Sequence, residues 1–195
     1  MIPTVPFLNQ FRAAPNLLTL MRLFIIPFLV IEILDGHYGI VFALFMLAGI
    51  SDALDGLLAR WLRQKTTLGL YLDPIADKLL LSTLFVVLTH VGLMPRYVTV
   101  LVFSRDLGIL LIATLLFATG TLRDFRPSLF GKLNTLVQII ALIAVLCQKI
   151  FASAHLETLR DVLVRTIAVL APLSAAQYAW IVFQRMNAAP ERTIV

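Results

Sequence analysis

Four aspartates lie within residues 51–78, in the segment SDALDGLLARWLRQKTTLGLYLDPIADK. Asp52 and Asp55 are three residues apart, and Asp73 and Asp77 are four residues apart. Both spacings place two carboxylates on one face of an α-helix. A charged side chain inside a membrane costs about 3 kcal/mol or more, so a group of four carboxylates needs a positively charged partner. Because carboxylate oxygens are the ligands that Mg²⁺ and similar cations prefer, the segment predicts a divalent-cation site.

Other roles are open to single members of this group. Asp73 precedes Pro74 and could be a helix N-cap, because a residue before proline is pushed out of the helical region. Asp55 could pair with Arg60, and Lys78 could neutralise the aspartate next to it. Structural ion pairs of this kind account for two aspartates, but too few cations lie near the group to account for four.

The composition predicts the elements that carry these residues. The chain has 195 residues, of which 60% are hydrophobic and 14% are charged, and its mean hydropathy is +0.94. A soluble domain has about one-quarter charged residues, so these values indicate an integral membrane protein. Since a span needs about 20 residues, we expect an all-α bundle of six transmembrane helices. The apolar segments are 17–34, 38–58, 79–93, 97–118, 136–150 and 162–183.

The flanking segments and the charges predict the organisation around this bundle. We expect residues 1–15 to form an amphipathic segment on the membrane surface, residues 16–187 the six-helix domain and residues 188–195 a short tail. The net charge of +5 comes from loop residues. Their distribution favours an integral, multi-pass protein with both termini in the cytoplasm. A basic cytoplasmic face is ordinary in membrane proteins, so the charge does not indicate a nucleic-acid partner.

The depth of the aspartates supports a shared ligand. The polar stretch RWLRQKTTL, residues 60–68, joins the second and third spans. Counted from this stretch at about 1.5 Å per residue, both aspartate pairs lie within about three helical turns of it. Neighbouring helices therefore carry their carboxylates at matching depth near the basic face, as a bound cation requires.

The residues around the aspartates complete a longer pattern, D-x2-D-G-x2-A-R-x8-G-x3-D-x3-D. Its eight positions are Asp52, Asp55, Gly56, Ala59, Arg60, Gly69, Asp73 and Asp77. The pattern resembles the signature of the CDP-alcohol phosphotransferases, which are integral membrane enzymes of phospholipid head-group synthesis. Further similarity lies in PNLLT followed by Arg22, in the SRD triplet at 104–106, and in GKLNT followed by Gln138. The resemblance covers about residues 15–140, and the last apolar span carries no motif.

The resemblance implies a fold, a cofactor and a set of roles. It implies six transmembrane helices, a homodimer, a cavity open to the cytoplasm and two Mg²⁺ or Mn²⁺ ions per active site. Asp52, Asp55 and Asp73 would be metal ligands, and Asp77 would be both a ligand and the catalytic base. Gly56, Ala59 and Arg60 would border the cytidine diphosphate of the donor, CDP-diacylglycerol, and the same motifs assign Gly69, Asn16, Thr19 and Arg22 to substrate binding.

The acceptor alcohol has to be inferred from a second set of charges. Arg105 lies inside the fourth span and Lys132 at the start of the fifth, which suits an acceptor that carries a phosphate. Arg105 could instead simply pair with Asp106. We favour glycerol 3-phosphate, which would give phosphatidylglycerol phosphate, because PNLLTLMR, LDPIADK and GKLNT resemble that subgroup. The SRD triplet and Asn134 resemble cardiolipin synthases, whose acceptor is phosphatidylglycerol.

A transporter is the alternative from another class. Carboxylates in a helical bundle also build cation or proton pathways, with charged groups in both halves of the membrane. This chain concentrates its charges on one half and has no second aspartate cluster. The pattern therefore favours an enzyme.

Overall fold

The computed structural model describes residues 14–61, 67–118 and 129–188, which form α-helices joined by short turns. Side chains are described for residues 19–54, 75–112 and 129–184. The helices are α1 (Ala14–Leu34), α2 (Tyr38–Trp61), α3 (Thr67–His90), α4 (Arg96–Ala118), α5 (Leu129–Phe151) and α6 (Ala154–Ala188). The predicted all-α class is confirmed for these residues. Most of the predicted interfacial segment and the tail, residues 1–13 and 189–195, lie outside them.

Two helices each end in a turn of the same type, formed by a glycine. Gly36 follows α1 with a φ of 78°, and Gly92 follows α3 with a φ of 77°. This left-handed conformation strains any residue with a Cβ, and glycine adopts it freely. In each turn the next amide donates back into the helix: His37 N to Glu32 O at 2.9 Å, and Leu93 N to Leu88 O at 2.8 Å. These bonds satisfy carbonyl groups that the helix end would otherwise leave open.

The first compact unit contains α1, α2 and α3, and comprises Met1–Leu93 with Lys149–Ala152. Within it, α1 packs against both α2 and α3. The buried apolar residues recur every three or four positions, which is the spacing of one helix face. They include Ile25, Leu29 and Ile33 of α1, Val41, Phe45 and Ala48 of α2, and Leu80, Leu84 and Leu88 of α3. The helix with two packed neighbours, α1, is therefore the centre of this unit.

The second compact unit contains α4, α6 and most of α5, and comprises Met94–Gln148 with Ser153–Val195. Here α4 packs against α6. Its buried apolar residues include Val98 and Val102 of α4 and Val164, Ile167 and Ala171 of α6. The helix that we predicted over 162–183 begins eight residues earlier, at Ala154, because hydropathy marks the apolar part of a helix and not its polar ends.

Two of the described helices are long and apolar enough to cross a membrane, Leu129–Phe151 and Ala154–Gln184. In α2, a shorter apolar stretch, Tyr38–Leu54, ends at the first aspartate pair. Large apolar side chains are also exposed in both units, among them Phe24 and Leu110. Exposed apolar surface of this kind suits contact with lipid, whereas the count of six spans remains a prediction.

Candidate active site

Arg22 of α1 connects the two helices that carry the aspartate pairs. Its Nη1 donates to Asp77 Oδ1 on α3 at 2.7 Å, and its Nη2 donates to Asp52 Oδ1 on α2 at 2.9 Å. The Arg22 side chain is 1% exposed, whereas those of Asp52 and Asp77 are 48% and 44% exposed. The structure therefore brings one carboxylate from each predicted pair to the same buried cation.

The sequence of α1 explains why an arginine lies at this position. Thr19 and Arg22 are buried, and the apolar residues Ile25, Leu29 and Ile33 continue the same face. Since this spacing of three or four residues keeps side chains on one side of a helix, Arg22 points the same way as the core. Because α1 packs against both α2 and α3, its inward face meets both aspartate-bearing helices.

The charges and donor atoms fit a divalent cation. One guanidinium against two carboxylates leaves a net negative charge among Arg22, Asp52 and Asp77. Carboxylate oxygens are hard donors, of the kind that Mg²⁺ and Mn²⁺ prefer. Both carboxylates are about half exposed, so a ligand can reach them from the side that Arg22 does not cover.

Several of the predicted site residues lie outside the described side chains. Among the described residues, no group of three or more His, Cys, Asp or Glu could hold a metal ion. Only two of the four predicted metal ligands have described side chains, so the four-aspartate site stays a prediction. The residues whose side chains are not described are Asn16, Asp55, Gly56, Ala59, Arg60, Gly69 and Asp73.

The second unit holds the buried arginine that we assigned to the acceptor. Arg105 of α4 donates from Nε to Ser174 Oγ on α6 at 2.7 Å, and from Nη1 to Asp106 Oδ1. The pairing with Asp106 that we considered as an alternative is therefore present. Lys132 of α5 is exposed. The role of both residues in acceptor binding stays a prediction.

Two buried amides on α5 are polar residues to which we had given no site role. Asn134 and Gln138 are both 0% exposed, and their side-chain amide atoms have no hydrogen-bond partner among the residues that the structure describes. A buried polar atom without a partner costs about 1–3 kcal/mol, so such groups are uncommon. The signal in the sequence was their spacing of four residues within GKLNTLVQ, which places them on one helix face.

Residues 12–183 match the family model described as CDP-alcohol phosphatidyltransferase. The chain is 36% identical over 155 residues to a cardiolipin synthase (CMP-forming) of Rattus norvegicus, covering 70% of this chain and 51% of the relative. It is 36% identical over 133 residues to a probable phosphatidylglycerophosphate synthase of Mycobacterium tuberculosis, covering 65% and 62%. It is 32% identical over 166 residues to a CDP-diacylglycerol--glycerol-3-phosphate 3-phosphatidyltransferase of Aquifex aeolicus, covering 84% and 92%.

The coverage limits what these relatives say about function. The chain spans about half the length of the rat protein and less than two-thirds of the mycobacterial one, but most of the Aquifex protein. The names of these relatives state two different activities, and the identities to the two groups are similar, at 32–36%.

Proposed function

Because the chain belongs to the CDP-alcohol phosphatidyltransferase family, we propose that it transfers the phosphatidyl group of CDP-diacylglycerol to the hydroxyl of an acceptor alcohol. The reaction releases CMP and forms a phospholipid. The family predicted from the aspartate pattern is confirmed, since the match extends over residues 12–183. The activity and the substrates are our proposal.

The observation that carries this proposal is the meeting of Asp52 and Asp77 at Arg22. The two residues are the first and last positions of the eight-residue pattern, and they lie 25 positions apart on different helices. Ion pairs that serve stability alone do not require a carboxylate from each pair to meet at one residue. Convergence is expected when the carboxylates share a ligand.

The ligand in this proposal is a pair of Mg²⁺ or Mn²⁺ ions, held by Asp52, Asp55, Asp73 and Asp77. When bound, the ions would neutralise the pyrophosphate of the donor and stabilise the departing CMP. The donor set observed at Asp52 and Asp77 fits such a cation, and the other two aspartates complete the proposed site.

The residues of the chain supply the proton transfer and the binding contacts. Asp77 accepts the proton of the acceptor hydroxyl, whose oxygen forms a bond to the lipid-side phosphorus. The bond between that phosphorus and the bridging oxygen breaks, and the electron pair leaves with CMP. Gly56, Ala59 and Arg60 would border the cytidine diphosphate of the donor. Asn16 and Gly69 would also contribute to substrate binding, and Thr19 would contribute to the acceptor pocket.

Glycerol 3-phosphate is the acceptor that we propose. Arg105 and Lys132 would bind its phosphate, because a guanidinium and an ammonium both suit a dianion and Arg105 is held in place by Ser174. Phosphatidylglycerol is the second candidate, with cardiolipin as product. It is supported by the 36% identity to a cardiolipin synthase and by the neutral Asn134, which lies two positions after Lys132.

The setting of this reaction is part of the proposal. We infer that residues 16–187 form a six-span membrane domain, that the active site and both termini face the cytoplasm, and that the protein is a homodimer. The two apolar helices, Leu129–Phe151 and Ala154–Gln184, and the family support a membrane protein.

The proposal is tested with the full chain in detergent, with Mg²⁺, CDP-diacylglycerol and either labelled glycerol 3-phosphate or labelled phosphatidylglycerol. We expect CMP release that depends on an acceptor, with label entering lipid from glycerol 3-phosphate. Asp52→Asn should lose this activity. Asp161→Asn is the matched control, since Asp161 accepts from Arg160 in the other unit. Label in cardiolipin would make phosphatidylglycerol the acceptor. A wild-type protein that releases no CMP would contradict the proposed enzymatic activity and would agree with the transporter alternative.

A further inference from the structure

We propose that Arg22 is a positioning residue of the metal site, which fixes Asp52 of α2 and Asp77 of α3 relative to each other so that both can bind the cation. This inference rests on the proposed metal site. It differs from the substrate-binding role that the motif suggested for Arg22, because its terminal nitrogens donate to the carboxylates of Asp52 and Asp77.

The contacts of Arg22 hold two helices at once. Nη1 and Nη2 belong to one planar, rigid group, and each donates to a carboxylate on a different helix, at 2.7 and 2.9 Å. The separation of the two accepting oxygens is therefore limited by the width of the guanidinium. Arg22 is also the largest of the fully buried side chains that the structure describes, so packing restricts its movement.

The burial of Arg22 makes the two contacts obligatory. A guanidinium stays charged at any ordinary pH, and a buried charge without a partner is strongly unfavourable. In the same way, Asp52 and Asp77 would repel each other if they met without a cation between them. The arginine therefore allows the carboxylates to converge before a metal ion is present.

The same contacts also fit an opposite role, in which Arg22 competes with the metal ion for the carboxylates. The two roles predict opposite changes in metal affinity when Arg22 is replaced. If Arg22 only competed with the metal for the carboxylates, its removal would strengthen metal binding, because a repelling positive charge would be lost. If Arg22 positions the carboxylates, its removal weakens metal binding, because the ligands on α2 and α3 separate.

Lysine distinguishes charge from geometry at this position. Its ammonium carries the same charge as arginine but is a single point on a flexible stem, and it lacks the planar fork that spans two oxygens. Arg22→Lys therefore preserves the charge of the site and removes the constraint on spacing. A purely electrostatic role predicts wild-type metal affinity for this variant, and a positioning role does not.

The experiment measures the Kd for Mn²⁺ from the electron paramagnetic resonance signal of free Mn²⁺, with the full chain in detergent. We expect Arg22→Lys and Arg22→Gln to raise the Kd by roughly 10–100-fold, the usual effect of losing a residue that orients metal ligands. Arg160→Gln is the matched control, because Arg160 also donates to an aspartate but lies in the other unit. It should change the Kd by no more than about twofold.

Three results would overturn the inference. The first is an unchanged or lower Kd in Arg22→Lys, whatever the Kd of Arg22→Gln, which would leave the proposed metal site standing. The second is a wild-type protein that binds no Mn²⁺, which would remove the metal site as well. The third is that neither variant folds even when Mn²⁺ is present throughout purification, which would make Arg22 a residue of the fold.

Discussion

Replacing Asp77 by asparagine separates catalysis from stability at the centre of the site. The asparagine carbonyl oxygen can still accept the bond that Arg22 Nη1 now donates to Asp77 Oδ1 at 2.7 Å. Arg22 also keeps its second carboxylate, Asp52. The substitution therefore removes a charge and a base but does not leave the buried guanidinium alone.

The expected cost in stability is small. A hydrogen bond to a charged group contributes about 1.5–3 kcal/mol and a neutral one about 0.5–1.5 kcal/mol, so the loss is roughly 1–1.5 kcal/mol. For a chain of this size, each kcal/mol shifts Tm by about 2–4 °C, which gives a decrease of roughly 2–6 °C. Turnover should fall far more, by about 10²–10⁴-fold, because a positioned general base contributes that much.

The assay is CMP release at several Mn²⁺ concentrations, together with thermal unfolding of the same samples. Asp161→Asn is the control, since Asp161 is 47% exposed and accepts from Arg160, much as Asp77 is 44% exposed and accepts from Arg22. It should show a similar or smaller change in Tm and wild-type turnover. Turnover of Asp77→Asn within about tenfold of wild type would refute the assignment of the base, and so would full recovery at high Mn²⁺.

Three further predictions follow from other features of the structure. Chelation by EDTA should abolish CMP release and Mg²⁺ or Mn²⁺ should restore it; activity that survives chelation would contradict the metal site. Arg105→Lys should raise the KM for the acceptor roughly tenfold and leave the KM for CDP-diacylglycerol unchanged, because lysine cannot reproduce the bonds to Ser174 and Asp106. Equal changes in both KM values would instead show that Arg105 has a structural role. Asn134→Leu should raise Tm by at least about 2 °C, since the buried amide atoms have no hydrogen-bond partner in the described part of the chain and leucine removes their desolvation cost. A lower Tm would show that the amide is bonded in the folded protein.

The class of fold and the family could be predicted from the sequence because both depend on local patterns. Apolar segments of helical length indicated the all-α class, and the spacing of Asp52, Asp55, Asp73 and Asp77 with their neighbours identified the family. Helix ends were less predictable. The span expected over 79–93 belongs to a helix that begins at Thr67, because the aspartates and Lys78 interrupt its hydropathy without interrupting the helix.

The pairing of Arg105 with its neighbour Asp106 could be predicted, but the distant partners of the buried arginines could not, because they depend on which helices become neighbours. Arg22 meets aspartates 30 and 55 positions away, and Arg105 meets Ser174 at a distance of 69 positions. Hydropathy periodicity shows which face of a helix is buried but not which helix covers it. The last span carried no motif for the same reason: Ser174 is one serine among apolar residues until α6 is packed against α4.

The most direct test of phosphatidyl transfer follows the phosphorus atoms of the donor. CDP-diacylglycerol labelled only at the lipid-side phosphorus is incubated with the full chain, Mg²⁺ and glycerol 3-phosphate, and the products are separated into lipid and nucleotide. We expect all of the transferred label to stay in the new phospholipid and the CMP to be unlabelled. Label in phosphatidic acid, with the cytidylyl group on the acceptor, would show attack at the other phosphorus and would contradict the account.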